Sequence, residues 1–260
     1  IRTYMEMEIF KKFINELGDI TENYIAGEFK QNISWDLKND HSPVTRTDKN
    51  TELMLRERIK AKFPDHGIIG EEYGNENTDA EYVWVLDPID GTKSYITKVP
   101  LFGTLVALMR NNKPILGMIN QPILKQRMIG DNNECLFNGK PVKVSPETDI
   151  AKATVLTSDT RGVPFLHSRQ GWCDMEKKCY ILRSWGDCYG YMLLCRGLAH
   201  VMIDAQLEIW DIMALLPNLK GAGATVGDLC GGNDHKKHGC MACCTKHMFD
   251  ECVKILNPKE

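Results

Sequence analysis

At 260 residues, 43% of them hydrophobic, the chain can bury a sizeable core, as one large domain or two modest ones. A net charge of -3, with Lys and Arg scattered rather than blocked, excludes the basic footprint of a nucleic-acid binder. No apolar run approaches the roughly 20 residues of a membrane helix, so no membrane partner is expected, and a cytoplasmic location follows by default with a leader ahead of Ile1 left open.

Between residues 5 and 29 the apolar Ile9, Phe10, Phe13, Ile14, Leu17, Ile20 and Tyr24 recur at three- and four-residue steps, which predicts a long helix with one buried face. The polar, turn-rich stretch 35–43 reads as a loop. Thr47 and Asp48 then precede a second helix over 51–62, with Leu53, Leu55 and Ile59 inward, Thr47 as N-cap and Asp48 suited to the helix start through the dipole. Two short apolar runs end in acids: Ile68-Ile69-Gly70-Glu71-Glu72, and the buried strand 82–86, which leads into Asp87-Pro88-Ile89-Asp90-Gly91-Thr92. Runs 103–109 and 114–119 predict a hairpin, and further strands follow near Met128, Leu136 and Val142. From residue 150 the pattern alternates. Strands at Val155 and 180–182, near Val201 and near Thr225 are interleaved with helices over 188–196 and 212–220, and Met241-Ala242 feeds a terminal helix. The halves 1–145 and 146–260 meet near Pro146 without a flexible linker, and there is no internal repeat.

Asp87 and Asp90 flank a stiff Pro, so two carboxylates and the Ile89 carbonyl can converge on one small volume, an oxygen cluster that suits Mg²⁺. The same residues are also ordinary turn formers, Glu71 can be a solvated loop acid, and Asp211 in Glu208-Ile209-Trp210-Asp211 can be a simple N-cap. No G-x-S-x-G elbow and no phosphate-cradling H-C-x₅-R loop supplies a protein nucleophile. Ten cysteines in a chain with this much core read as reduced thiols. The cluster Cys230, His235, His238, Cys240, Cys243, Cys244 and His247 contains a C-x-x-C, but its spacing fits no standard zinc finger, and core or surface thiols are the better account.

Gly70-Glu71-Glu72, Asp87-Pro88-Ile89-Asp90-Gly91-Thr92 and Trp210-Asp211, in this order and at this spacing, make the chain resemble the inositol monophosphatase superfamily from its first helix to its last. The resemblance implies an α/β (α+β) fold, a layered αβαβα sandwich with the active site between its halves. It also implies a Mg²⁺-dependent phosphate monoester hydrolase with two to three ions, sensitive to Li⁺, and a homodimer. Glu71, Asp87 and the Ile89 carbonyl would hold one ion, Asp87, Asp90 and Asp211 a second, and a third would share Glu71. Thr92, paired with Asp48, would orient and deprotonate the water, and the Gly91 and Thr92 amides would bind phosphate. Lys93-Ser94-Tyr95-Ile96, residues 100–104 and the segment 185–191 look most like the histidinol-phosphate phosphatase branch. Arg183, Trp185, Gly186, Asp187 and Asp204 are then the expected substrate contacts, and two carboxylates there favour a cationic leaving group. A bisphosphate nucleotidase is the next reading and an inositol monophosphatase the third. A metal-binding regulatory homologue without activity is the alternative of another class.

Overall fold

The computed structural model describes residues 2–259, with side chains from residue 5 onward. The chain opens with α1 (Arg2–Phe29), whose buried stripe is Phe10, Phe13, Ile14, Leu17, Thr21 and Ile25. Ile9, expected on that stripe, is half exposed because one residue along a helix turns the side chain by about 100°. The stretch 35–43, expected to be a loop, instead starts with β1 (Trp35–Leu37), paired antiparallel with β2 (Pro43–Thr45). Next, α2 (Arg46–Lys62) begins ahead of the expected helix, and its N-cap is Thr45 rather than Thr47. Thr45 Oγ1 accepts from the amides of Thr47 and Asp48, while Asp48 Oδ2 accepts the Thr45 amide at 2.7 Å, which closes a capping box. Leu55 and Ile59 face inward, but Leu53 faces solvent. The inward face also holds Glu52 and Arg56, polar side chains that a count of apolar positions passes over.

An eight-stranded sheet follows: β3 (Gly67–Gly70), β4 (Gly74–Glu76), β5 (Tyr82–Asp90), β6 (Gly103–Arg110), β7 (Lys113–Gln121), β8 (Gln126–Gly130), β9 (Cys135–Phe137) and β10 (Lys140–Pro141). Its order is β10-β9-β8-β7-β6-β5-β3-β4, with β3 and β5 parallel. The short α3 (Thr92–Ile96) leaves the end of β5. A five-stranded sheet is made of β11 (Thr154–Thr157), β12 (Ile181–Arg183), β13 (Val201–Asp204), β14 (Thr225–Gly227) and β15 (Cys240–Cys243), in the order β12-β11-β13-β15-β14. Between these strands run α4 (Gly162–Leu166), α5 (Arg169–Lys178), α6 (Asp187–Cys195), α7 (Ile209–Ala222) and α8 (His235–His238), and α9 (Lys246–Leu256) closes the chain.

The period of two in β5 sorts its side chains between two cores. Trp84 and Leu86 pack with Phe13 and Leu17 of α1 and Leu55 and Ile59 of α2. Val83 and Val85 pack the other way, into a core with α6 and α7 that also receives Met202 and Ala242 from the second sheet. The far face of that sheet, Val155, Val201, Ile203 and Met241, is covered by Trp172 of α5 and by Met248 and Phe249 of α9. Helix, sheet, helix, sheet and helix thus alternate, the αβαβα sandwich that the sequence leads one to expect. All ten cysteines are free thiols, most of them buried. Among the described residues no helix is long and apolar enough to cross a membrane.

Close approach of α7 to the first sheet needs a missing side chain. A Cβ on Gly117 of β7 would stand 2.2 Å from the Ala214 carbonyl oxygen, a backbone atom that can move only with the whole helix. Gly117→Ala is therefore expected to lower unfolding free energy by about 1–3 kcal/mol through overpacking. Denaturant melts of the two proteins check this, and an unchanged midpoint contradicts it.

Candidate active site

Register places the first acids. In the parallel pair β3–β5, Gly70 lies opposite Leu86, so Glu71 and Asp87 leave the sheet side by side, and the Glu71 amide donates to the Leu86 carbonyl at 3.2 Å. In a regular strand, residues 87 and 90 would point to opposite faces. The pairing of β5 with β6 is broken between Asp87 and Asp90, and Thr104 Oγ1 pins the irregular stretch by donating to the Pro88 carbonyl at 2.9 Å. That bulge turns both carboxylates into one volume. Asp211 comes from the opposite side, in the first turn of α7, where its Oδ2 accepts the Glu208 amide at 2.8 Å. The helix starts at Ile209, so Asp211 is not its N-cap, and one carboxylate oxygen remains for other use.

Oxygens of Asp87, Asp90 and Asp211 lie within 4.8 Å of one another. Asp87 is 3% exposed, and its Oδ1 has no hydrogen-bond partner. Asp90 Oδ2 accepts the Cys188 amide at the start of α6, at 2.5 Å. Burial pushes the Asp87 carboxyl well above the usual range, and the negative charges of Glu71, Asp90 and Asp211 add to the effect. Asp90 is raised by burial and by Asp187 and Asp211, and burial lifts Asp211 to about 7 against the pull of the Glu208 amide. An orphaned, buried carboxylate oxygen inside an all-oxygen cluster fits a hard divalent cation.

Glu71 lines the same cleft, but its Oε1 is 2.7 Å from Lys38 Nζ, which also reaches Glu72 at 2.6 Å. Thr92 Oγ1 donates to the Ile89 carbonyl at 3.0 Å and stands 3.5 Å from Asp48 Oδ1. Asp48 is buried, and desolvation raises it to about 6 although the Thr45 hydroxyl and amide favour the charged form. Gly91, with φ +88°, takes the left-handed turn that starts α3 and, with Thr92, opens onto the cleft.

The expected substrate contacts divide. The parallel strands β11 and β13 end together, and Ser158 donates its amide to Asp204 Oδ1 at 3.0 Å while Tyr191 donates its hydroxyl to Oδ2 at 2.9 Å. Asp204 thus lines the cleft with both oxygens already engaged. Asp187, with φ +48°, is the first residue of α6, whose N-cap is Gly186. Its carboxylate stands over Gly91, close enough that a Cβ there would lie 2.9 Å from Oδ2, and burial followed by the charge of Asp204 lifts it to about 7. Gly186 packs against Ser158 with no room for a side chain. Arg183 and Trp185 are exposed and do not line the cleft; Arg183 donates to the Leu182 carbonyl. Lining residues not proposed from the sequence include Asp40, Ser42, Lys93, Ser158, Asp159, Leu166 and Glu208. Glu208 lies within the quoted Glu208–Asp211 motif, and Ser158 follows a strand end as Asp204 does. Lys38, in a polar loop, gave no signal.

The cleft encloses about 400 Å³ and adds Leu207 and Trp210 as an apolar wall. A second cavity, of about 360 Å³, lies between α1 and β8–β9, where Lys11 is already paired with Asp131 and Arg127 with Asp19. Among the described residues the Cys/His-rich segment assembles no set of three metal ligands: Cys240 and Cys243 are buried in β15, whereas Cys230 is exposed in a turn.

The sequence pattern of the inositol monophosphatase family matches residues 6–258. The chain belongs to this family. It is 38% identical over 232 residues to the bifunctional phosphatase IMPL2, chloroplastic, of Arabidopsis thaliana, covering 87% of this chain and 66% of that protein. It is 34% identical over 227 residues to a histidinol-phosphatase of Chlorobaculum parvum, covering 87% of this chain and 86% of the relative. A solved inositol monophosphatase of Zymomonas mobilis superposes with a TM-score of 0.83 at 31% identity, over 96% of this chain and 98% of that one. The chain is accordingly a metal-dependent phosphatase of this family.

Carboxyls whose folded pKa lies above the unfolded value near 4 contribute stability below that value and lose it as pH rises through the folded one. For Asp48, Asp187 and Asp211 the loss runs from about pH 4 to values of about 6, 7 and 7. A bound cation favours the ionised form, so the rise in melting temperature on adding Mg²⁺ is expected to be larger at pH 8 than at pH 5.5. His66, His167 and His200, which burial pushes down, act in the opposite sense but are present with and without the metal and cancel in the difference. A gain independent of pH contradicts the assignment.

Proposed function

We propose that the chain is a Mg²⁺-dependent histidinol-phosphate phosphatase, converting L-histidinol phosphate and water to L-histidinol and phosphate. The observation that carries this reading is the acidity of the cleft beyond the metal ligands. Asp40, Asp159, Asp204 and Glu208 line it and outnumber Lys93, the one lining cation among the described residues, although Asp159 is paired with Arg161 at 3.2 Å; Asp187 stands behind Gly91, and Leu166, Leu207 and Trp210 give it an apolar side. A leaving group with an ammonium and a flat imidazole suits such walls, whereas a polyanionic bisphosphate nucleotide is repelled by them. The Chlorobaculum relative named as a histidinol-phosphatase supports the same choice. A neutral polyol phosphate is the second reading, supported by the likeness to the Zymomonas inositol monophosphatase.

Glu71, Asp87, the Ile89 carbonyl, Asp90 and Asp211 would hold two to three Mg²⁺ ions. When bound, such ions supply charge neutralisation at the phosphoryl oxygens and lower the pKa of an attacking water. Thr92 and Asp48 flank the place for that water, with the Thr92 hydroxyl oriented by the Ile89 carbonyl and Asp48 fixed by Thr45. The Gly91 and Thr92 amides, at the turn into α3, offer donors to phosphate. We expect a homodimer in solution, as the resemblance implies.

Asp187→Asn should reduce kcat/KM for histidinol phosphate by roughly ten- to a hundredfold, equivalent to about 1.5–3 kcal/mol, through loss of a negative charge behind the Gly91 wall that favours a cationic leaving group, while glycerol phosphate hydrolysis changes little. Parallel kinetics on the two esters check this. Equal losses on both would place Asp187 in the general scaffold.

Li⁺ should inhibit turnover by occupying the small site formed by Asp87, Asp90 and Asp211. Turnover unaffected at any practical lithium concentration would mean a different second-site geometry.

A further inference from the structure

Glu52 and Arg56 are buried, charged and without a task in the hydrolysis. Both stand on the inward face of α2, where Glu52 lies one turn beyond Asp48 and faces the turn that carries Glu71. Glu52 Oε2 accepts the Glu72 amide at 2.8 Å, and Oε1 accepts the Tyr73 amide at 3.1 Å and Arg56 Nε at 2.8 Å. Arg56 goes on to donate to Glu76 Oε1 at 3.1 Å and to the Gly74 carbonyl. On the other side of Glu71, a Cβ on Gly70 would meet Glu52 Oε1 at 2.1 Å and Arg56 Nη2 at 2.6 Å, so the pair lies directly against the chain there too.

A buried ion pair is a poor source of net stability, since well-packed apolar residues of similar volume often serve as well or better. What this pair supplies is directional restraint, because a carboxylate and a guanidinium form several fixed hydrogen bonds at once. The restrained chain is the one that holds Glu71 beside Asp87, a like-charged neighbour that repels it.

We propose that Glu52 and Arg56 are positioning residues for metal binding, clamping the turn around Glu71 so that its carboxylate stays at the Asp87 end of the cleft before a cation arrives. The inference rests on the role given to Glu71 above. α2 then serves the site twice, with Asp48 at the water and Glu52 behind the metal ligand.

The test is the double variant Glu52→Leu/Arg56→Met, which removes both charges together and leaves neither unpaired. Mn²⁺ affinity, followed by electron paramagnetic resonance and calorimetry, should weaken about tenfold or more, in the range typical of residues that orient metal ligands. The Mg²⁺ concentration for half-maximal turnover should rise in step, while kcat at saturating Mg²⁺ stays within about threefold of wild type. A variant with an altered melting temperature but wild-type Mn²⁺ affinity overturns the proposal. Should the variant not fold, hydrogen exchange on the metal-free wild type decides: the Glu72 and Tyr73 amides should already be protected. Free exchange that slows only on adding Mn²⁺ overturns it equally. A wild-type chain that binds no Mn²⁺ sinks the functional reading as well, whereas normal wild-type binding with an unchanged variant sinks only this inference.

Discussion

The carboxylates of Asp87, Asp90 and Asp211 approach within 4.8 Å of one another where little water is left to screen them, and the surrounding structure has to hold them there against their repulsion. Each is restrained by a different element. Asp87 continues β5, whose preceding residues are packed on both faces, so it cannot swing away without disturbing two cores. Asp90 is caught by the Cys188 amide in the first turn of α6, and Asp211 by the capping turn of α7. Both helices lie between the sheets and present their positive ends to the acids, which offsets part of the repulsion. A divalent cation bound there would answer the remainder.

Position in the sandwich explains why so many functional groups collect at one edge. Parallel pairs bring chain ends to the same side, Glu71 with Asp87 at β3–β5 and Ser158 with Asp204 at β11–β13. In the proposed reading the first pair faces the metals and the second the leaving group. Between them, α3 starts at Gly91 and Thr92, so the phosphate would lie where the two halves of the chain meet. The layers that bury the core would thereby set the distance between catalysis and recognition, with Asp211 of α7 tying the second half to the proposed ligand set.

Much of this was legible in the sequence because it rests on short-range rules. Periodicity marks α1, apolar runs mark β5 and the β6–β7 hairpin, and three acid-bearing motifs mark the carboxylates that the structure brings to one cleft. Long-range features were not legible. The burial of Glu52 and Arg56 depends on a turn that lies beyond the helix that carries them, so apolar positions alone put Leu53 on the wrong face of α2. The capping role passed to Thr45 because its hydroxyl, two residues ahead of Thr47, is the one that faces the open amides. Strand β1 pairs across a polar turn, and α4 and α5 lie between strands where no apolar period stood out. Arg183 and Trp185 share a segment with Asp187, but the chain turns at Gly186, which leaves them on the outside.

Crystals soaked in Mn²⁺ and measured for anomalous scattering test the central claim most directly, since they show where cations go without reference to any substrate. The account predicts peaks bounded by Glu71, Asp87, the Ile89 carbonyl, Asp90 and Asp211, with Lys38 displaced from Glu71 wherever an ion takes that oxygen. Peaks confined to other parts of the chain, or none between Asp87, Asp90 and Asp211, would contradict it.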